Sequence, residues 1–292
     1  MHALPLPKSK KTMKTTILSL VLMLVGSTIF GQPNTFLYQT KNNHQIILLS
    51  EGPSQRNADI LIDATPEILA ETMPAGYYTA ATNAFLIRTA TGKNALIDAG
   101  FGRLLFDNLA HYNVTPEMID MILLTHMHGD HIGGLLDANG LKTFPNAELY
   151  MSKLEYNHFY TERPETPAQN RNNAAIDAYR DKLILFEPQA QPIAEIIQPL
   201  PNFGHTPGHT VYVVDDVLIW GDMIHAMAVQ VPYPTVSVTF DVDNKKAVES
   251  RLEMLKYIVD HNLSVAGMHI AYPGIGTLVE NGKGGYIFTP ME

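Results

Sequence analysis

Three histidines and an aspartate fall within six residues, in Thr125-His126-Met127-His128-Gly129-Asp130-His131, directly after the apolar run Met121-Ile122-Leu123-Leu124. Side chains alternate along a strand and advance by about 100° per residue along a helix, so four such groups cannot share one face of a regular element. They must fan out from a loop at a strand end, where functional groups commonly sit. Imidazole and carboxylate are the donors that zinc takes in hydrolytic sites. Three further segments repeat the arrangement. Gly204-His205-Thr206-Pro207-Gly208-His209-Thr210 precedes the apolar run 211–214, Trp220-Gly221-Asp222 closes the run 217–220, and Ala266-Gly267-Met268-His269 closes the run 263–266. A scatter of surface histidines would not recur at strand ends, so the fold is required to bring several strand ends to one place.

Strand-length runs of β-rich composition supply those ends: 45–49, 84–88, 95–98, 121–124, 148–151, 211–214 and 217–220. Between them, residues 103–112, 132–137 and 245–261 return apolar side chains at helical spacing. Strands interleaved with helices predict an α/β protein, and no repeat or composition break divides residues 32–292, so a single domain is expected. Residues 152–181 are rich in Tyr, Asn, Glu and Pro and weakly patterned. Such an insertion between two histidine motifs serves either as a wall or lid over a site or as a solvated helix with a loose connection. Gly133 and Gly134 are expected at a close-packed helix start.

The charge is uneven. Lys8, Lys10, Lys11 and Lys14 lie in the first 31 residues, which hold no acid, and without them 16 basic residues face 29 acidic ones. An acidic body does not seek phosphate backbones or anionic lipid, so nucleic acid is excluded as an expected partner. The basic start followed by the apolar run 17–30 predicts a signal peptide over residues 1–31, a periplasmic or secreted protein and no stable membrane anchor. Cysteine is absent, so disulfides contribute nothing to the fold.

The His-x-His-x-Asp-His core, followed in order by the later histidines and Asp222, resembles the metallo-β-lactamase superfamily from about residue 45 onward. The resemblance implies an αββα sandwich with the site at one edge of two sheets. It implies two divalent ions, most readily Zn2+: one on His126, His128 and His209, the other on Asp130, His131 and His269, with Asp222 bridging. Asp98 would support the ligand loop from behind, and His205 and His225 would lend hydrogen bonds without touching metal. A carboxylate in place of His128 would mark the flavodiiron members, and a cysteine near Asp222 the β-lactamases that use one; neither is present. Members with a helical glutathione-binding region would need more residues after His269.

Within the superfamily the chain is most similar to the methyl parathion hydrolase and N-acyl-homoserine lactonase branch. Trp220-Gly221-Asp222-Met223-Ile224-His225, Val236-Ser237-Val238-Thr239-Phe240-Asp241 and Gly267-Met268-His269-Ile270-Ala271-Tyr272-Pro273 carry the likeness. It implies a lactonase that opens N-acyl-homoserine lactones, with a phosphotriesterase as the alternative and a β-lactamase-like or other ester hydrolase as a minor one. Asp130 and Asp222 are the expected proton carriers, and Phe101, Tyr156, Phe159 and Tyr272 the expected apolar wall around a small-molecule substrate. A homodimer is implied as well.

Overall fold

The computed structural model describes residues 34–162 and 167–292; the predicted leader, residues 1–31, lies outside them. The strands of the first half are β1 (Thr35–Gln39), β2 (Gln45–Arg56), β3 (Leu61–Ile62), β4 (Tyr78–Arg88), β5 (Asn94–Ile97), β6 (Met121–Leu123), β7 (Glu148–Ser152) and β8 (Leu183–Phe186). Those of the second half are β9 (Ile197–Pro201), β10 (Thr210–Val214), β11 (Val217–Ile219), β12 (Ser237–Val238), β13 (Ser264–Ala266), β14 (Ile275–Glu280) and β15 (Tyr286–Pro290). One sheet runs β1-β2-β4-β5-β6-β7-β8, a second β15-β14-β13-β11-β10-β9, and β3 pairs with β12 in a small ribbon.

Alternation along the strands builds the layers. In β2, Ile46 and Leu48 enter one buried cluster while Ile47 and Leu49 enter another. Phe85 and Ile87 part in the same way from Leu86, as do Met121 and Leu123 from Ile122. The shared cluster also takes Tyr212, Val214, Val217, Ile219 and Ala266 from the second sheet, so the two sheets face each other across it. Helices cover the outer faces. Leu105 and Leu109 of the helix Leu105–His111 pack on the first sheet, and Met254, Leu255 and Ile258 of the helix Asn244–Asp260 on the second. The result is the predicted αββα sandwich, and burial on both faces explains why the strands read as unbroken apolar runs.

The helix Asn244–Asp260 shows the local logic. The Asp243 carboxylate accepts the Lys246 N–H at 2.9 Å as N-cap, a contribution of about 1 kcal/mol. Each fully buried aliphatic side chain on its inner face contributes about 1.5–3 kcal/mol.

Direction brings the motifs together. β5 and β6 run parallel, as do β11 and β13, so Asp98, the 126–131 loop, Asp222 and His269 all follow strand ends of like polarity. β10 runs antiparallel to β11, which places the turn before β10 at that same edge. Of the segment 152–181, the described parts 152–162 and 167–181 pack as a wall: Phe159, Ala175, Ile176 and Tyr179 are buried in the outer cluster of the first sheet. Gly133 and Gly134 are close-packed as expected, since a Cβ would meet Phe101 Cα at 2.8 Å and the Ala99 carbonyl at 2.5 Å respectively.

Candidate metal centre

His126 Nε2 lies 2.9 Å from His128 Nδ1 and 3.1 Å from His205 Nε2, and the last two stand 3.0 Å apart. A hydrogen bond needs one donor and one acceptor, so three nitrogens in mutual contact cannot all be hydrogen-bonded to one another. Burial pushes the His126 and His205 pKa well below the usual value and that of His128 down to about 4, which keeps their lone pairs free. Nitrogens around a tetrahedral zinc stand about 3.3 Å apart, close to this spacing. His126, His128, His205 and Asp222 together offer donor atoms within 4.8 Å of one another.

A second group adjoins the first. His131 Nε2 and His269 Nε2 lie 3.0 and 3.1 Å from Asp222 Oδ1, and 3.8 and 3.7 Å from the two oxygens of Asp130. His131 Nε2 and Asp222 Oδ1 are buried with no hydrogen-bond partner. Burial opposes protonation of His131 and His269, yet the carboxylates, Asp222 foremost, draw both upward. Burial would likewise raise the Asp222 pKa, and the histidines around it, His131 first, hold it well below the ordinary range. A cation between these groups would satisfy the orphaned atoms and supply the charge Asp222 attracts. Asp222 Oδ1 faces this group, while Oδ2 stands 3.5 and 3.4 Å from His126 and His205, so the one carboxylate serves both clusters. The donor set fits two divalent ions.

Neighbours behind the site select the tautomer of three of the imidazoles, His131, His205 and His269. Asp98 Oδ2 accepts the His131 Nδ1–H at 2.6 Å, and its two oxygens also accept the Thr125 N–H and hydroxyl. The Ala81 carbonyl accepts from His269 Nδ1 at 2.9 Å, and Asp241 Oδ1 from His205 Nδ1 at 3.0 Å. In each case Nε2 is left turned toward the cluster.

The sequence profile of the metallo-β-lactamase superfamily matches residues 78–260, which hold all of these groups except His269. The chain belongs to that superfamily. Hydroxyacylglutathione hydrolase of Vibrio campbellii (strain ATCC BAA-1116) is 32% identical over 140 residues, 48% of this chain and 46% of that protein. The chain thus spans less than half the length of the curated relatives it matches. Among solved structures, the superfamily hydrolase AbOPH superposes with a TM-score of 0.80 at 27% identity, over 90% of this chain and 99% of its own. The dizinc quorum-quenching lactonase AidC, solved with a product, superposes with a TM-score of 0.80 at 22% identity, over 89% and 99%.

The geometry corrects one histidine. His209, expected at the first ion, has both ring nitrogens engaged: Nδ1 donates to the Asn202 carbonyl at 3.0 Å and Nε2 accepts the Asp222 N–H at 2.9 Å. Gly221 makes this possible, because at its φ of +55° a Cβ would stand 2.6 Å from His209 Nε2. His205, expected behind the ligands, occupies the position assigned to His209. His225 stays at the margin, its Nε2 2.9 Å from Asp222 Oδ2. Two buried carboxylates received no role from the sequence: Asp241, behind His205, and Glu155, whose oxygens accept from Met127 N, Thr206 Oγ1 and Gly208 N.

Two cavities meet above the site and share Phe101, His128 and Gly129. One, of about 500 Å³, has Asp130, Asp222, His225 and His269 at its base and Arg56 and Tyr78 on its wall. The other, of about 600 Å³, is walled mainly by Met127, Ile132, Leu136, Phe159 and Ala175, with Asp137, Arg171 and Asn172 also on it. Phe101 and Phe159 therefore stand where an apolar wall was expected; Tyr156 and Tyr272 do not. Tyr156 stacks on Tyr160 at 4.9 Å against the outer core, and Tyr272 packs edge-on against Phe36 while 60% exposed. No helix among the described residues is long and apolar enough to cross a membrane.

Proposed function

We propose that this metal-dependent hydrolase opens lactone rings, N-acyl-homoserine lactones first among them, with two zinc ions held by His126, His128, His205 and Asp222 and by Asp130, His131, His269 and Asp222. The observation that carries the reading is Asp222, one oxygen turned to each cluster, lining a cavity that joins a second one with a mostly apolar wall. That pairing suits a small neutral ester with an apolar tail, and the fold shared with a dizinc lactonase supports it. The predicted leader adds that the enzyme is exported, where diffusible lactones are met.

When bound, paired divalent ions bring a shared water's pKa toward neutrality and polarise the carbonyl under attack. The chain's own residues do the rest. Asp222 holds the two clusters at a common separation, and Asp98, Asp241 and the Ala81 carbonyl hold the imidazoles in the tautomer that faces inward. Asp130, whose side chain is 27% exposed toward the cavity, accepts the proton of the attacking water and returns it to the ring oxygen as the acyl C–O bond breaks. Water adds across the ester and one hydroxy acid leaves.

Thioester hydrolysis is the second reading, favoured by the hydroxyacylglutathione hydrolases that match nearly half of the chain. Turnover should be compared on an acyl-homoserine lactone, dihydrocoumarin, paraoxon and a hydroxyacyl-glutathione thioester. The highest kcat/KM is expected on the acyl-homoserine lactone; a thioester or paraoxon turned over more efficiently overturns the assignment. A strong chelator should abolish activity, and zinc, cobalt or manganese should restore it.

A further inference from the structure

Glu155 is 1% exposed on the short helix Lys153–Tyr156, directly after β7. Its Oε1 accepts the Met127 N–H at 2.9 Å; its Oε2 accepts the Thr206 hydroxyl at 2.7 Å and the Gly208 N–H at 3.0 Å. Met127 lies between His126 and His128, and Thr206 follows His205. One carboxylate thus ties the loop after β6, in the first sheet, to the turn before β10, in the second. The backbones also touch there, since a Cβ on Gly208 would stand 2.1 Å from the Glu155 nitrogen.

This seam is where the first cluster is assembled. Its three imidazole nitrogens meet within 3.1 Å although His126 and His205 are 79 residues apart. Lower on the seam, the Thr210 N–H donates to the Thr125 carbonyl at 2.9 Å and the Tyr212 hydroxyl to the Leu124 carbonyl at 2.7 Å. Those two bonds fix the strand ends; Glu155 reaches the loop tips that carry the imidazoles. The second cluster is held otherwise, with Asp98 behind His131 and the Ala81 carbonyl behind His269.

We propose that Glu155 is the positioning residue of the first cluster: it sets the spacing of the 126–128 loop against the 205–208 turn, and with it that cluster's metal affinity, without touching the ion. The inference rests on the metal-binding reading of the site and is independent of the substrate. In Glu155→Gln the amide N–H₂ takes the place of either Oε1, opposite the Met127 N–H, or Oε2, opposite the Gly208 N–H, so a backbone N–H of one of the two loops loses its acceptor.

The test is zinc affinity by chelator competition on the purified full chain. In a His269→Ala background, which leaves the first cluster, Glu155→Gln should weaken zinc by about 10–100-fold, the usual effect of removing a group that orients a ligand. In a His205→Ala background, which leaves the second, the same change should have no effect. Equal loss in both backgrounds, or none in the first, overturns the proposal. A wild-type chain that takes up no zinc overturns the metal reading itself and this inference with it. If circular dichroism shows Glu155→Gln unfolded, Thr206→Val carries the test: removing one hydrogen bond should weaken only the first cluster, by about five-fold, and the absence of that selective loss refutes the role.

Discussion

The two clusters share Asp222 and differ in enclosure. In the first, His126 is fully buried and His205 is 2% exposed, with Glu155 and Asp241 buried behind them, and the half-buried His128 is the member that reaches the cavities. In the second, the Asp130 and His269 side chains keep 27% and 12% of their surface open, both on the cavity. Closed sites retain their ions and open ones leave a coordination position to water or substrate. The first cluster is therefore suited to holding an ion firmly, and the second to presenting one to an incoming ester, with Asp130 at hand for the proton.

Asp222→Asn erases the comparison and should have the largest effect. Each Asp222 oxygen faces one cluster, so loss of the charge weakens both, and elemental analysis should find fewer than one ion per chain. Turnover should drop by at least about 10³-fold, the scale of losing metal activation of water. Retention of two ions with normal turnover would break the bridging assignment.

Single-histidine variants sharpen the contrast. His205→Ala should lose the first ion and His269→Ala the second, each leaving about one per chain, with the second released at lower chelator concentration in the wild type. His209→Ala should keep both ions, because its nitrogens are spent on Asn202 and on the Asp222 backbone. Its cost falls on stability and depends on pH. Burial holds the folded His209 pKa down to about 4, against 6.5 in the unfolded chain, so between these values the unfolded state binds more protons. The stabilising contribution is complete above about pH 6.5 and is lost as pH falls toward 4, roughly 3 kcal/mol over the window. Melting temperatures of metal-free wild type and His209→Ala should therefore converge as the pH is lowered, and parallel curves would contradict the neutral, buried assignment.

Much of this was legible in the residues. Runs such as Ile46-Ile47-Leu48-Leu49 announce strands buried on both faces, and ligands placed after β6, β11 and β13 announce a shared edge once β5–β6 and β11–β13 are known to be parallel. The choice between His205 and His209 was not legible. Both lie in one short turn, and what separates them is tertiary: an Asp241 carboxylate behind the first, and the Asp222 N–H reaching the second past Gly221. Glu155 gave no signal because an acidic side chain in a weakly patterned segment reads as solvated, and Asp241, though inside a motif that carries the family likeness, was not tied to a histidine 36 residues before it. Tyr156 and Tyr272 failed for a related reason, since sequence places the backbone near a site and says nothing of where a ring points.

The smallest expected effect concerns the one side chain that separates the two cavities without belonging to either cluster. Phe101 borders both, and the loop carrying it is held without slack: the Glu51 carboxylate accepts the Arg103 N–H at 3.0 Å, and a Cβ on Gly102 would stand 2.9 Å from the Gly134 Cα. Phe101 is 40% exposed, with the Arg103 guanidinium 4.6 Å over its ring. Phe101→Ala should leave both ions bound and leave kcat on a short-chain lactone unchanged, because a phenyl ring offers neither a metal donor nor a proton. It removes apolar surface that a tail would cover on entering the second cavity. A partly buried aromatic contact contributes about 1 kcal/mol, which corresponds to a rise in KM of about five-fold for long acyl chains. Short chains, which end before the second cavity, should show no change. An equal rise for both lengths would mean that the ring positions the lactone itself, and a loss of metal would mean that the Phe101 loop supports the second cluster through Gly133 and Gly134.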